Sequence, residues 1–259
     1  MAARTYKARA LVLRKTKLGE KDLVITLIDE RGMLLKGVAK GARRPGGSFA
    51  ARLELFSEVS VLMAQGRSLD VIGDAKLIHP ARVLTWVLVN SSCAAPLAEL
   101  LAKIAQPDLE QGRVFEIARA AFALMGKAEI ADRDALALCA ASIWKVMAQI
   151  GFRPSFLACV SCGRALAMRD AHGSRALSVG DGGVVCDECR RPADALVVDS
   201  NVLLWCEALI RCRFSEIPDM KVTVDTLFEV LRIARLWSRL HVGSHLKSLD
   251  FLLSSGLFG

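Results

Sequence analysis

The stretch TYKARALVLRKTKLGEKDLVITLIDERGMLLKGVAK, residues 5–40, decides the fold of the N-terminal part of the chain. It contains three runs of apolar and β-branched residues, 5–17, 22–30 and 32–40, with turn-forming residues between them. Runs of this length and composition are typical of β-strands joined by tight turns. The stretch therefore predicts three consecutive strands, the last two joined by a hairpin turn.

Two more strands are predicted over residues 52–64 and 68–78, where apolar and polar residues are mixed. Five strands in about eighty residues, with a long loop between the third and the fourth, suit a small closed barrel. Among such barrels the OB-fold is the commonest that binds single-stranded nucleic acid. We therefore predict a five-stranded OB-fold β-barrel over residues 1–80.

The loop after the third strand is strongly basic. The segment KGVAKGARRPGGSFAAR, residues 36–52, carries five Lys and Arg residues, four glycines and no acidic residue. Of the net charge of +8 on the whole chain, residues 1–80 carry +7. Such a local excess indicates a polyanionic partner, either nucleic acid or an anionic surface, although a solvated basic face has the same composition.

The basic loop does not match a nucleotide-binding loop, because Gly41 is followed by Ala42 and Arg43 where that motif needs Lys and then Ser or Thr. Its cations, on a backbone that can bend at Gly41, Gly46 and Gly47, instead suit contact with a series of phosphates. Such contacts bind nucleic acid without reading its sequence.

After residue 80 the hydrophobic pattern changes to the period of helices. Apolar residues recur three and four positions apart in five segments, at residues 81–105, 108–128, 132–151, 200–214 and 223–243. Pro96 is expected to kink or divide the first of these helices, and Asp108 and Asp132 are expected to be N-caps. We predict a helical domain over residues 81–259, so that the fold class is α+β and multidomain.

Two Cys-x2-Cys pairs interrupt the helical pattern. Cys159 and Cys162 form the first pair and Cys186 and Cys189 form the second, with 23 residues between them. Four thiolates in this arrangement bind zinc tetrahedrally and leave no position open for a catalytic water. We predict one structural Zn²⁺ per chain in a zinc-finger insertion over residues 155–195. Two disulfides or redox dithiols are the alternative, which a reducing cytoplasm disfavours.

No arrangement of residues in the sequence points to catalysis. His241 and His245 have the spacing of a metal-binding pair, but the Glu of a metalloprotease is missing and Gly243 breaks the helix between them. No apolar run is long enough for a membrane span, and charged residues interrupt the stretch where a signal peptide would begin. We predict a soluble, cytoplasmic binding protein that is not an enzyme and has no membrane partner.

The segment of residues 10–63, which begins ALVLRKTKLGEKD, resembles the N-terminal domain of the bacterial DNA repair family RecO. The likeness lies in the first strand, the Gly-Glu-x-Asp turn, the second strand and the Val-Ala-Lys-Gly-Ala-Arg-Arg run. It continues in the same order through the helical segments and the cysteine pairs to LHVGSHLKSLDFL, residues 240–252. The resemblance implies the same architecture, an OB-fold followed by a helical domain with a zinc-finger insertion.

The resemblance also implies a function, that of a recombination mediator of the RecF pathway. Such a protein binds single- and double-stranded DNA, anneals complementary strands, engages the C-terminal tail of the single-strand-binding protein SSB, and with RecR helps to load RecA onto SSB-coated strands. It would be associated with the nucleoid when bound to DNA. The DNA-contacting positions implied by the resemblance are Arg14, Lys17, Lys36, Lys40, Arg43 and Arg44. The SSB tail would dock on the helical domain in an apolar pocket with a cationic rim, for which the candidates are Arg119, Arg232 and Arg235.

Two other classes of protein share these features. An RNA-binding, zinc-containing, ribosome-associated factor would prefer strands that carry ribose. An adaptor would use the basic barrel to bind acidic protein tails, and its binding to bare DNA would be negligible at physiological salt.

Overall fold

The computed structural model of the protein describes residues 4–44, 49–166, 173–190 and 195–258. The chain forms two compact units, Met1–Ile130 and Ala131–Gly259. The strands of the first unit are β1 (Thr5–Leu18), β2 (Asp22–Asp29), β3 (Leu34–Ala39), β4 (Glu58–Ala64) and β5 (Asp70–His79).

These five strands close into a barrel in the order β1-β2-β3-β5-β4. β1 pairs with β2 through its C-terminal part and with β4 through its N-terminal part, and its register with β2 shifts between Val12 and Arg14. Such a bulge bends a strand and increases its twist, which allows one long strand to close the barrel. β3 and β5 are parallel, whereas the other pairs are antiparallel. The predicted five-stranded OB-type barrel is confirmed.

Alternate side chains along the strands separate the barrel core from its outer face. Leu23, Ile25 and Leu27 of β2 lie in the core, where none is more than 7% exposed. Because successive side chains of a strand point to opposite faces, Val24 and Thr26 of the same strand belong to the outer face. The same alternation on β1 and β3 determines which of their Lys and Arg side chains lie on the outer face together.

Four helices belong to the first unit: α1 (Phe49–Arg52), α2 (Arg82–Trp86), α3 (Leu88–Ile104) and α4 (Gly112–Met125). The expectation that Pro96 divides the first predicted helix was wrong. The division falls at Val87, whose backbone is extended, and Pro96 is buried inside α3.

The helix predicted to start at residue 108 begins four residues later, at Gly112. The cause is a contact with the turn between β2 and β3, because the Gln111 N–H donates to the Arg31 carbonyl at 2.6 Å. Gly32, with φ +82°, permits this approach, since a Cβ there would collide with the Gln111 backbone. Tertiary contact thus overrides the capping signal of Asp108.

The described residues of the second unit form four α-helices, a 3-10 helix at Phe214–Asp219 and three short strands. The helices are α5 (Asp132–Gln149), α6 (Ser200–Arg211), α7 (Val224–His241) and α8 (Lys247–Ser254). The strands, β6 (Ser174–Ser178), β7 (Gly183–Val185) and β8 (Leu196–Asp199), form a sheet in the order β7-β6-β8. The 3-10 helix and α8 were not predicted, because each is too short to show a clear period.

An aromatic cluster lies at the centre of the second unit. The rings of Trp144 on α5 and Trp237 on α7 are 5.9 Å apart between centroids, and Phe156 packs edge-on against Trp144 at 5.6 Å. The Trp237 Nε1–H donates to the Phe152 carbonyl at 2.9 Å. Because Phe152 and Phe156 precede Cys159 directly in the chain, the cluster anchors the start of the cysteine-rich segment.

The predicted α+β fold class, with a barrel, a helical region and a four-cysteine module, is confirmed. The domain limits predicted at residues 1–80, 81–259 and 155–195 stay predictions, and the compact unit that holds the barrel continues to Ile130. Residues 167–172 and 191–194 of the predicted insertion lie outside the described residues. Among the helices that the structure describes, none is both long and apolar enough to cross a membrane.

Candidate metal centre and basic surface

The four predicted cysteine ligands come together in the second unit. The sulfur atoms of Cys159, Cys162, Cys186 and Cys189 all lie within 4.8 Å of one another, and the Sγ atoms of Cys162 and Cys186 are 3.7 Å apart. Zinc–sulfur bonds of about 2.3 Å in a regular tetrahedron place the sulfurs about 3.8 Å apart. The sulfur–sulfur separation therefore fits four ligands around one zinc ion, and a disulfide, with its bond of about 2.0 Å, is excluded at this pair.

Local structure brings the two cysteine pairs together. β6 and β7 form a hairpin with Ser178 opposite Gly183, and this hairpin returns Cys186 to the first pair. The Cys186 N–H donates to Cys159 Sγ at 3.4 Å. Each pair lies in a tight turn, closed by a hydrogen bond from the Gly163 N–H to the Cys159 carbonyl and by one from the Cys189 N–H to the Cys186 carbonyl.

The hydrogen bonds of the cluster favour a thiolate at Cys159, whereas those from Cys186 and Cys162 raise the pKa of the Cys189 thiol. Backbone N–H donors from Cys186 and Cys162 lower the pKa of the Cys159 thiol to about 6. Because the thiolate is the form that binds metals, these donors prepare a ligand. The four residues thus fit a closed structural site in both geometry and chemistry.

The other four cysteines, Cys93, Cys139, Cys206 and Cys212, lie outside the cluster and are not in disulfides. Burial raises the pKa of the Cys139 and Cys206 thiols far above the ordinary value. Such thiols are inert and pack as small apolar side chains.

The histidine pair does not form a metal site. His241 Nε2 is 2.7 Å from the Val179 carbonyl, and its ring stacks on Trp237 with centroids 4.4 Å apart. His245 Nε2 lies 2.8 Å from an oxygen of Asp250. Each imidazole thus has its own partner within the second unit.

The basic surface, Arg14, Lys17, Lys36, Lys40, Arg43 and Arg44, belongs to the first unit, on β1, on β3 and in the segment that follows β3. Thr26 of β2 pairs with Arg14 on one side and with Lys36 on the other. Since paired residues share a face, Arg14 and Lys36 flank Thr26 on the outer face of the barrel. Lys17 pairs with Leu23, whose side chain lies in the core. Lys17 therefore belongs to the inner face of the sheet, at the end of the barrel.

The segment after β3 lies against the turn between β1 and β2. The Arg43 N–H donates to the Lys21 carbonyl at 2.9 Å, and Arg43 Nη1 donates to the Gly19 carbonyl at 3.0 Å. The structure therefore brings Arg43 to the β1–β2 turn, next to the strand end that carries Lys17. Pro45, Gly46, Gly47 and Ser48 lie outside the described residues.

The cations of the barrel divide into paired and unpaired groups. Arg52 pairs with Asp74 at 3.0 Å, and Lys15 pairs with Glu54 at 3.0 Å. By contrast, five of the six side chains of the basic surface are exposed and make no hydrogen bond or ion pair with any described residue; these are the side chains of Arg14, Lys17, Lys36, Lys40 and Arg44. Arg43 is the exception because of its bond to Gly19.

Sequence reasoning did not select Arg67, which is exposed on the β4–β5 connection. OB-folds bind oligonucleotides on strands 2 and 3 and on the β1–β2 and β4–β5 loops. The only signal in the sequence was a single Arg within a short Gly-containing turn, which is too weak to single out a residue.

The aromatic residues that could stack bases on the barrel have other contacts. Tyr6 donates a short hydrogen bond to Asp70, and burial together with this bond raises the pKa of its phenol. Phe49 lies under the Arg52 guanidinium at 5.5 Å, and Phe56 is only 6% exposed. The basic surface therefore offers charge, with no free ring from these three residues.

Comparison with known proteins identifies one family along the chain. The family model Recombination protein O N terminal matches residues 1–81, and Recombination protein O C terminal matches residues 87–250. The DNA repair protein RecO of Symbiobacterium thermophilum is 28% identical over 248 residues, which cover 95% of this chain and 96% of that protein. The DNA repair protein RecO of Bifidobacterium longum is 33% identical over 208 residues, which cover 80% of this chain and 82% of that protein.

Proposed function

We propose that this chain, which belongs to the RecO family of DNA repair proteins, is a recombination mediator that binds single- and double-stranded DNA and anneals complementary strands. In this role it engages the C-terminal tail of SSB and, together with RecR, helps to load RecA onto SSB-coated single strands. The chain catalyses no reaction of its own, and it works in the cytoplasm, at the nucleoid when bound to DNA.

One observation carries the proposal: the basic surface consists of exposed cations that, Arg43 apart, have no partner among the described residues. Like charges held on one surface repel one another, and a polyanion relieves that repulsion. Phosphate binding also releases the counterions condensed on DNA, which adds a favourable and salt-dependent term.

The composition of this surface suits annealing in particular. Two complementary strands can pair only if their mutual repulsion is screened and their bases stay accessible. Lys and Arg contacts to phosphates screen the charge and read no base. Because Tyr6, Phe49 and Phe56 are engaged within the barrel, they do not compete for the bases that must pair.

In this proposal the SSB tail binds to a helical surface, and the candidate arginines for its site all form ion pairs. Arg119 pairs with Glu116 at 2.7 Å, Arg235 pairs with Asp250 at 3.3 Å, and Arg232 pairs with Glu229. The pairs of Arg119 and Arg232 are exposed and contribute little to stability, so an incoming carboxylate could replace the acidic partner at low cost, whereas the Arg235–Asp250 pair is half-buried. Because Arg119 lies in the first unit and Arg232 and Arg235 lie in the second, Arg119 is one candidate for the cationic rim and the other two are a separate candidate.

We assign the four-cysteine cluster one Zn²⁺ with a structural role. Four protein ligands complete the coordination, so the ion would hold the two turns together and activate no water. Annealing does not require the metal in this proposal, because every residue of the basic surface lies in the other unit.

The experiment that tests the proposal is annealing of complementary SSB-coated oligonucleotides at two salt concentrations. Wild type is compared with the variant Lys36→Ala/Lys40→Ala/Arg43→Ala/Arg44→Ala, shown to be folded and zinc-loaded. A matched control, Arg113→Ala/Lys127→Ala/Lys221→Ala/Arg239→Ala, loses the same charge from exposed positions outside the basic surface.

We expect wild type and the matched control to anneal and the basic-surface variant to fail. Equal loss in both variants would mean that only net charge matters and that the basic surface is not the site. If wild type neither anneals nor binds bare DNA, the mediator function is wrong, and binding to an acidic peptide would then support an adaptor. Preference for RNA over DNA of the same sequence would support the ribosome-associated factor.

A further inference from the structure

An acidic residue is hydrogen-bonded to the turn of residues 40–44, which forms part of the basic loop. Asp22, the first residue of β2, accepts a hydrogen bond from the Gly41 N–H to its Oδ1 at 2.7 Å. Gly41 lies between Lys40 and Arg43, so the carboxylate is bonded to the backbone of the cationic segment itself. A side-chain carboxylate that accepts from a backbone N–H makes one of the stronger hydrogen bonds in proteins.

The backbone around Gly41 forms a tight turn that includes this contact. Gly41 has φ +67°, a conformation that is unfavourable for residues with a Cβ, and the Arg44 N–H closes the turn on the Gly41 carbonyl at 3.0 Å. Ala42, only 2% exposed, fixes the middle of the turn in the barrel core. Lys40 and Arg44 therefore lie at the two ends of one turn, and the position of this turn is fixed.

We propose that Asp22 is a positioning residue for nucleic-acid binding, which holds the turn of residues 40–44 so that Lys40 and Arg44 meet phosphates in an ordered loop. The inference rests on the proposed function, since it assumes that these cations bind DNA. Arg43 supports the same arrangement from the other side, through its bonds to the Gly19 and Lys21 carbonyls. Part of its role is thus to order the loop.

The sign of the effect separates this role from simple electrostatics. A carboxylate beside a cationic surface repels phosphates, so by charge alone its removal would strengthen DNA binding. If Asp22 orders the turn, its removal weakens DNA binding. The turn must then become ordered as DNA binds, and the loss of conformational entropy reduces the affinity. The two accounts predict opposite changes for the same substitution.

The test measures the binding of a fluorescent single-stranded oligonucleotide by wild type and three variants across a range of salt concentrations. Asp22→Ala removes both the charge and the acceptor, whereas Asp22→Asn removes the charge and keeps an oxygen that can accept from Gly41. Glu20→Gln is the matched control, because Glu20 is an exposed acid in the same turn with no partner among the described residues. Melting temperature and zinc content are measured in parallel for each protein.

We expect Asp22→Ala to bind about three- to tenfold more weakly and with a shallower salt dependence. Asp22→Asn should bind more tightly than Asp22→Ala, because it keeps an acceptor for the Gly41 N–H, and Glu20→Gln should bind as tightly as wild type or more tightly, because it loses only a repulsive charge. Tighter binding by Asp22→Ala, or binding equal to wild type, would overturn the positioning role. Weaker binding by Asp22→Ala and Asp22→Asn alike would also overturn it, because the acceptor would then be irrelevant.

This experiment keeps the two proposals apart. If wild type fails to bind the oligonucleotide, the proposed function itself fails. If wild type binds and only the Asp22 prediction fails, the function stands and the positioning role is wrong. Amide hydrogen exchange at Gly41, which should accelerate in Asp22→Ala and stay unchanged in Glu20→Gln, decides the role without DNA.

Discussion

The sheet of the second unit and the barrel of the first are stabilised in different ways. Around the four-cysteine cluster the buried core is small and consists of Cys159, Ala176, Val185 and Cys186. The barrel instead buries side chains from all five strands, with no cysteine among them. We expect a module with so little apolar core to depend on a bound metal for its stability, whereas the barrel has a larger core of its own. The comparison predicts that the proposed metal binding and the proposed DNA binding of this chain are separable.

Removal of one of the four cysteines should have the largest effect, and it tests whether metal binding and DNA binding are independent. We expect Cys162→Ser to lose its zinc and to unfold the β6–β8 sheet, with single-stranded DNA affinity unchanged. Loss of an outer-shell partner already weakens metal binding by about 10- to 100-fold, so the loss of a ligand should cost more. Elemental analysis of zinc, amide hydrogen exchange and DNA titration measure the three quantities.

Cys212→Ser is the control for that experiment, because Cys212 lies outside the cluster and should keep full zinc content. If Cys162→Ser lost its zinc and its DNA binding together, the two units would be functionally coupled. The separation drawn from their cores would then be wrong.

The second test concerns Glu58 and its two partners, Arg9 and His79, which we expect to stabilise the barrel without taking part in DNA binding. Glu58 of β4, only 3% exposed, accepts hydrogen bonds from Arg9 and from His79, the latter at 2.8 Å. Burial alone would raise the pKa of Glu58, but these two hydrogen bonds outweigh burial and lower it below 4.5. We expect Glu58→Gln to destabilise the barrel by about 1–3 kcal/mol at pH 7, with little change in DNA affinity.

The pH dependence of this destabilisation follows from the direction of the pKa shift. A carboxylate whose pKa is lower in the folded state contributes its full stabilisation above its unfolded pKa and loses it as the pH falls. The difference between wild type and Glu58→Gln should therefore shrink as the pH falls below 4.5. Hydrogen exchange of the β4 amides in both proteins at each pH measures it, and a constant difference would contradict the assignment.

How far the sequence predicts each region depends on the range of the interactions that build it. The four-cysteine cluster was predicted because Cys-x2-Cys spacing is a local pattern whose chemistry needs few other residues. The cations were predicted as one charged segment. Which of them are paired with acids and which are unpaired depends on strand register. That Lys36 lies beside Thr26 while Lys15 pairs with Glu54 could not be read from composition.

The start of α4 illustrates the same limit within the fold. The capping signal at Asp108 was overridden by the contact between Gln111 and Arg31, which are 80 positions apart in the sequence. Periodicity describes an element by its own residues, so it cannot include a partner of this kind. Strand and helix types were therefore predictable, whereas the helix boundary was not.

The smallest expected effect comes from single cations of the barrel, and it tests whether unpaired cations bind DNA while paired ones do not. Lys36→Gln removes an exposed cation of the outer face, whereas Lys15→Gln removes the same charge from a side chain that bonds to Glu54. Since each phosphate contact on a single strand contributes about 0.7 to the slope of log affinity against log salt, Lys36→Gln should lower that slope by about 0.7. Lys15→Gln should leave the slope unchanged and lower the melting temperature slightly, because the ion pair with Glu54 is lost. Equal slopes for the two variants would mean that the charge of the barrel acts as a diffuse field, and that strand register does not select the DNA-binding cations.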